Sequence, residues 1–198
     1  MKNDKRPFLL LIPILTCLIG AASPLTSVSD MTVTIVSPSG QLFSSKGRLQ
    51  VHDLKVRFEP EGAEEINLYD FERSEGIRFF PNDNIYFESR LSPARIAKGI
   101  KEGWAPAPPS YAEKKIFLRE GVVKEKPARL FLIILEENGW KGYSLRWVTP
   151  DEAARPLQII YPSADYETVI IDYDHFRSEP YDPSQFEPPV GFLSVNPY

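Results

Sequence analysis

Met31-Thr32-Val33-Thr34-Ile35-Val36 alternates apolar and polar residues almost strictly, and Ser37-Pro38-Ser39-Gly40 follows with turn chemistry. Side chains of a strand point to opposite faces with period two, so this stretch is a strand with one buried face, entering a hairpin. Extended character resumes at 41–51, with Leu42, Leu49 and Val51 among polar neighbours. The same grammar continues at 54–60, 64–71, 76–81 and 84–89, the last two flanking the turn Asn82-Asp83-Asn84. No long helical pattern interrupts these six segments, so sequential antiparallel pairing, a meander, is expected.

Ser92-Pro93 then offers a capping hydroxyl before a proline at the first helical position. Ile96, Ile100 and Trp104 recur every four residues, and Gly103 with Pro106, Pro108 and Pro109 ends the pattern. This predicts one helix whose apolar stripe lies across a face of the sheet. Strand signals return at 113–120, 128–137, 141–148, 156–161 and 166–174, with turns at Asn138-Gly139, Thr149-Pro150-Asp151-Glu152 and Pro162-Ser163-Ala164-Asp165.

The expected fold is therefore mainly β (α+β), one antiparallel sheet of about eleven strands. Leu130-Phe131-Leu132-Ile133-Ile134-Leu135 is apolar on both faces and needs cover on both sides. Such a strand is either the centre of a packed core or the wall of an apolar cavity. Tyr143, Leu145 and Trp147 oppose Ser144 and Arg146; Leu157, Ile159 and Tyr161 oppose Gln158; Ile66 and Leu68 oppose Asn67 and Tyr69. This alternation predicts a curved sheet with an apolar inside. The 19 prolines favour incomplete closure, because proline collects at edges and bends where no ladder donor is needed.

The start of the chain carries a second signal. Met1-Lys2-Asn3-Asp4-Lys5-Arg6 runs into an apolar block from Phe8 to Leu15 that continues through Cys17-Leu18-Ile19 to the small residues Gly20-Ala21-Ala22-Ser23. Residues 1–22 read as a cleaved signal peptide, leaving one domain over 23–198 outside the cytoplasm. An uncleaved anchor is the first alternative, although a spanning helix needs about 20 apolar residues and this block contains Pro13. A lipidated Cys17 is the second, although Thr16 stands where a small residue is usual.

Cys17 is the only cysteine and falls inside the removed segment, which excludes disulfides, thiol nucleophiles and cysteine metal sites from the domain. Loss of Lys2, Lys5, Arg6 and Asp4 takes the formal charge from -4 to -6, so nucleic acid and anionic bilayers are not expected partners.

No phosphate loop, paired histidines or nucleophile elbow is present. In Asp172-Tyr173-Asp174-His175, alternation puts both carboxylates on one face and His175 on the other, which argues against a metal site. No enzyme activity, metal or cofactor is implied.

The order of segments resembles the periplasmic lipoprotein-carrier superfamily typified by LolA and LolB, and within it a group of uncharacterised outer-membrane lipoprotein-sorting proteins. The resemblance is carried by Gly47 to Phe58; by Ile66-Asn67-Leu68-Tyr69-Asp70 with Ile77 to Tyr86; by Tyr143 to Asp151; and by Asp182-Pro183-Ser184-Gln185-Phe186-Glu187-Pro188-Pro189-Val190-Gly191-Phe192. It implies a strongly curved half-open barrel with one or two helices packed in the concavity, holding lipid or lipoprotein acyl chains. Sorting carriers have an arginine near the end of the second strand that helps prevent backflow. The corresponding stretch here reads Val51-His52-Asp53, which leaves binding of a lipid or apolar ligand as the broader expectation.

On that reading the cavity is lined by Phe79, Trp104, Phe131, Ile133, Leu145 and Trp147, while Lys55 and Arg57 face a headgroup or partner. The chain is expected to act as a monomer. The other function class is a structural or sensory envelope module that uses the same half-barrel to contact proteins, its interior filled by its own side chains.

Overall fold

The computed structural model describes residues 25–62, 64–92, 96, 112–137, 140–163 and 166–195. Their strands are β1 (Leu25–Val36), β2 (Leu42–His52), β3 (Lys55–Pro60), β4 (Ile66–Asp70), β5 (Glu75–Phe80), β6 (Ile85–Arg90), β7 (Ala112–Val123), β8 (Lys126–Glu137), β9 (Trp140–Val148), β10 (Pro156–Pro162), β11 (Thr168–Pro180) and β12 (Leu193–Ser194). Each of the first eleven overlaps one of the eleven strand segments expected from the sequence, although β1 begins at Leu25 rather than Met31 and β11 runs on to Pro180 rather than Asp174.

The first hairpin forms where the alternation breaks. Gly40 adopts φ 83, a left-handed conformation in which a side chain is strained. The Ser37 carbonyl accepts from the Gly40 amide at 2.9 Å, and the Ser37 amide donates to the Gln41 carbonyl at 2.9 Å. At the 82–84 turn Asn84 takes φ 53, which asparagine tolerates better than most residues.

The strands form a single sheet in the order β12-β6-β5-β4-β3-β2-β1-β11-β10-β9-β8-β7. This corrects the expectation of one unbroken meander. β6 and β7 do not pair; instead β1 pairs antiparallel with β11 over its whole length, from Leu25 opposite Pro180 to Val36 opposite Thr168. Two meanders therefore lie back to back, joined through the first and last long strands. The sheet is antiparallel apart from β12, which pairs parallel with β6, and it is open, with β12 and β7 at its edges.

Register shifts occur between Val28 and Asp30, Phe117 and Arg119, and Pro156 and Gln158. Each extra residue bends and twists the ladder locally.

One face carries the main core: Met31, Leu49, Val56, Tyr69, Phe71, Leu91, Ile133, Leu135, Ile159, Tyr161, Val169, Ile171 and Tyr173. We call this the inner face. Val33 and Ile35 pack against it, which is the apolar half of the opening Met31–Val36 alternation. The expectation of one or two helices in the concavity is not supported by the described residues. Of the stretch around the expected helix, only Ile96 is described; it is helical, its amide donates to the Ser92 carbonyl at 3.1 Å, and it packs against the inner face. The other helical element is a 3-10 turn at Pro183–Phe186, capped by Asp182, whose carboxylate accepts from the Ser184 amide at 3.0 Å; it packs on the outer face. The expected signal segment, residues 1–22, lies outside the described residues.

Candidate functional site

Residues directly opposite in antiparallel strands share a face, so the pairing register lays out the inner surface in rows. One row across β7, β8, β9 and β10 reads Phe117, Phe131, Arg146, Ile159. The next reads Lys115, Ile133, Ser144. The end of the inner face is thus apolar with a charged guanidinium and a hydroxyl set into it.

Ser144 is 3% exposed, and its Oγ has no hydrogen-bond partner. A buried hydroxyl in that state costs about 1–3 kcal/mol. Arg146 is half-buried. Burial pushes its guanidinium below the ordinary arginine value, and the negative charge of Glu113 and the Tyr173 hydroxyl work the other way. The Lys115 ammonium stands over the Phe131 ring, 4.2 Å from its centroid, and Phe117 meets Phe131 edge to face at 5.6 Å.

The six residues expected to line a cavity are divided by this geometry. Ile133 is buried in the inner core and Phe131 packs against it. Leu145 and Trp147 alternate to the outer face, where they join Val123, Ala128, Leu130 and Leu157 in a second core. That core is closed by the β7–β8 hairpin: a Cβ on Gly121 would lie 2.8 Å from the Trp147 ring, and the Arg119 guanidinium covers the same ring at 5.4 Å. Phe79 is also on the outer face, at the opposite end of the sheet, and is 2% exposed. Trp104 lies outside the described residues.

The segment 181–195 covers the outer face around Phe79. After β11 the chain crosses back over β2 to β6 and enters β12. Tyr181 stacks on His52 with ring centroids 3.6 Å apart and planes 12° from parallel. The Gln50 amide donates to Gln185 Oε1 at 2.7 Å, and Arg57 Nη1 donates to the Gln185 carbonyl at 2.8 Å. Phe192 meets Phe79 edge to face at 6.1 Å. Leu193 and Val195 amides then donate to the carbonyls of Asn84 (2.9 Å) and Tyr86 (2.8 Å).

Arg57 is accordingly an anchor for this strap, with its Nε bonded to Glu59 and its guanidinium over Phe79 at 5.4 Å. Lys55 lines a pocket of about 370 Å³ between the strap and β4 to β6, together with Asp70, Arg73, Glu75, Glu88 and Phe186. His52, 6% exposed, carried no sequence signal of its role, because its partner Tyr181 is far along the chain.

The 172–175 stretch also differs from its expected geometry. His175 sits at the β1–β11 bulge with φ 51, which breaks the alternation and brings its Nδ1 to 2.8 Å from Asp30 Oδ2. Asp30 pairs with Asp174 in the ladder, so His175 reaches the carboxylate side rather than the opposite one. Asp172 and Asp174 share Lys124, at 3.6 and 2.6 Å. Among the described residues no three histidine, cysteine or acidic side chains converge as metal ligands.

The sequence matches no family model and no curated protein. Solved structures do resemble the chain. A LolA superfamily protein from Nitrosomonas europaea aligns with a TM-score of 0.52 at 12% identity, over 82% of this chain and 90% of that one. A DUF1329 family protein from Desulfovibrio piger gives 0.47 at 10% identity, over 82% and 89%. A candidate outer-membrane lipoprotein-sorting domain from Vibrio parahaemolyticus gives 0.42 at 8%, over 81% and 88%. The chain is thus similar in fold to the solved LolA superfamily protein, the kind of fold that the resemblance in the sequence implied.

Proposed function

We propose that this protein is a non-enzymatic binder or carrier of lipid or lipoprotein acyl chains, working in the periplasm after export through residues 1–22. The observation that supports it is the inner face itself. An apolar surface drawn from both meanders of an open sheet gives a long chain a continuous contact once its cover is displaced. Each buried methylene gains about 0.8 kcal/mol, so about ten of them match the free energy of micromolar binding before immobilisation costs. The LolA-type fold is consistent with this use.

A second reading, an envelope protein-interaction module with a self-filled interior, draws on a different observation. Ile133, Ile159 and Ile171 are 1%, 0% and 1% exposed, so the inner face is already covered and must open before a chain can enter. Cargo decides between the two. Native mass spectrometry of the mature protein extracted from membranes is expected to show retained lipid, displaced by added fatty acid. Protein that carries no lipid and leaves a fluorescent fatty acid unbound at saturating concentration would overturn the carrier reading in favour of the module.

A further inference from the structure

Fifteen consecutive residues, Met31 to Ser45, carry no charge in a chain that is 25% charged, the longest such run after residue 22. They form the β1–β2 hairpin, and its end is apolar on both faces. The pairing register sets Leu42 beside Val36, Thr168 and Pro162 on the outer face, and Phe43 beside Ile35, Val169 and Tyr161 on the inner face. Leu42 is 65% and Phe43 52% exposed, and Tyr166 of the adjoining β10–β11 turn is 90% exposed. β3 stops opposite Gly47, so Leu42 to Lys46 run about 17 Å past it. Resting on the carrier reading above for its use, we propose that this end of the sheet docks the protein on the surface of a zwitterionic lipid bilayer.

The placement of the apolar groups selects a bilayer over a protein partner. A groove or a second copy covers one face of a strand pair, whereas lipid wets both, and here Leu42 and Phe43 point opposite ways. Entry also requires polar groups that are satisfied without water. Within the turn the Ser37 amide donates to the Gln41 carbonyl at 2.9 Å, the Gly40 amide to the Ser37 carbonyl at 2.9 Å, and the Gln41 amide to Ser37 Oγ at 3.0 Å. The edge of β2 at 42–45 has no second strand beside it among the described residues. Its backbone therefore stays at headgroup depth, where interfacial segments and tyrosine settle. Charge sets the lipid class. Removal of residues 1–22 leaves a formal charge of -6, and the sequence of the adjoining turn adds Asp165 and Glu167 against Lys46 at the base of the hairpin, which opposes an anionic surface. The inner row next to Phe43 and Ile35 runs from Ser45 through Val33 and Ile171 to Ile159, so a chain leaving the bilayer meets the inner core from this end.

Flotation with vesicles of phosphatidylcholine and phosphatidylethanolamine measures docking of the mature protein. An environment-sensitive dye on Leu42→Cys reports contact, since no other cysteine occurs after residue 22. The wild type is expected to float with these vesicles, and the dye at position 42 to shift to the blue on binding. The same dye on Val122→Cys, at the opposite end of the sheet, is expected not to shift. The double variant Leu42→Ser with Phe43→Ser is expected to weaken partitioning at least about tenfold, and Val122→Ser to leave it unchanged. These side chains are more than half exposed, so the variants retain their fold, checked by near-ultraviolet circular dichroism. Added phosphatidylglycerol is expected not to strengthen binding. Partitioning that the double variant keeps, or that appears only with phosphatidylglycerol and disappears in salt, overturns the proposal. So does a concentration-dependent dimer of the wild type that the double variant loses, with no vesicle binding by either. Wild-type protein that retains lipid yet never floats defeats docking and leaves the carrier reading standing, whereas flotation that depends on Leu42 and Phe43 in protein that retains no lipid does the reverse.

Discussion

The two faces of this sheet are buried by different means. The inner face carries one large core whose described side chains come mainly from β1, β2, β3, β4, β8, β10 and β11. The outer face is covered at one end by the strap 181–195, held by a few identifiable contacts, and at the other by the β7–β8 hairpin over Trp147. A core distributed over many strands fails as a unit, whereas a cover held at a few points opens locally. If a ligand is to reach the inner face, the cooperative surface is the one that must yield, and the outer covers are the ones that yield most easily.

The largest expected effect tests the cooperative side. Ile159 is fully buried and packs between Arg146 on β9 and Ile171 on β11. Ile159→Ala is expected to cost about 2–4 kcal/mol in urea unfolding, through lost burial and the cavity left behind. A loss below about 1 kcal/mol would mean that the inner face collapses easily around a missing side chain, and the distinction between the faces would go with it.

The strap supplies the next effect. Tyr181→Ala removes the stack on His52, and Gln185→Ala removes its side-chain acceptor for Gln50. Each is expected to lower global stability by about 1 kcal/mol. Hydrogen exchange reads more than that. The amides of Leu193 and Val195, bonded to Asn84 and Tyr86, are expected to exchange about tenfold faster in the Tyr181 variant, while β1 and β11 amides change only with the global term. Loss of protection in both places together would make the strap part of the core.

Period-two alternation was enough to place most of the strands, because a half-buried strand must write its faces into every second residue. Pairing between β1 and β11 was not legible, since no local pattern reports which distant strands meet. The site suffered from a related gap. Leu130 to Leu135 is apolar at every position and carries no phase, so Ile133 and Trp147 looked like one lining. In the structure the strand serves both cores, with Phe131, Ile133 and Leu135 facing inward and Leu130 facing Trp147. Need for cover on both sides was readable, but the assignment of each residue to a side required the register. The bulge at His175 is a third case, where one inserted residue reversed an alternation that sequence alone extends unchanged.

The smallest expected effect concerns the far end of the outer face. Lys124, between β7 and β8, joins the hairpin to Asp172 and Asp174 of β11. Burial lowers its ammonium, but the hydrogen bond to Asp174 and the charges of both aspartates outweigh this, holding it above the ordinary lysine value of 10.5. A raised value means that the folded state binds the proton more tightly than the unfolded chain. The contribution is therefore fully present below pH 10.5 and fades as pH rises through the higher folded value. The side chain is 44% exposed, so solvent screening keeps the whole effect below about 1 kcal/mol. In urea titrations at pH 8 and pH 11, Lys124→Met is expected to be slightly less stable than the wild type at pH 8, with the gap narrowing at pH 11. A gap that stays constant would assign the loss to packing of the lysine stem against the hairpin, and this cover would then be held by the Trp147 core alone.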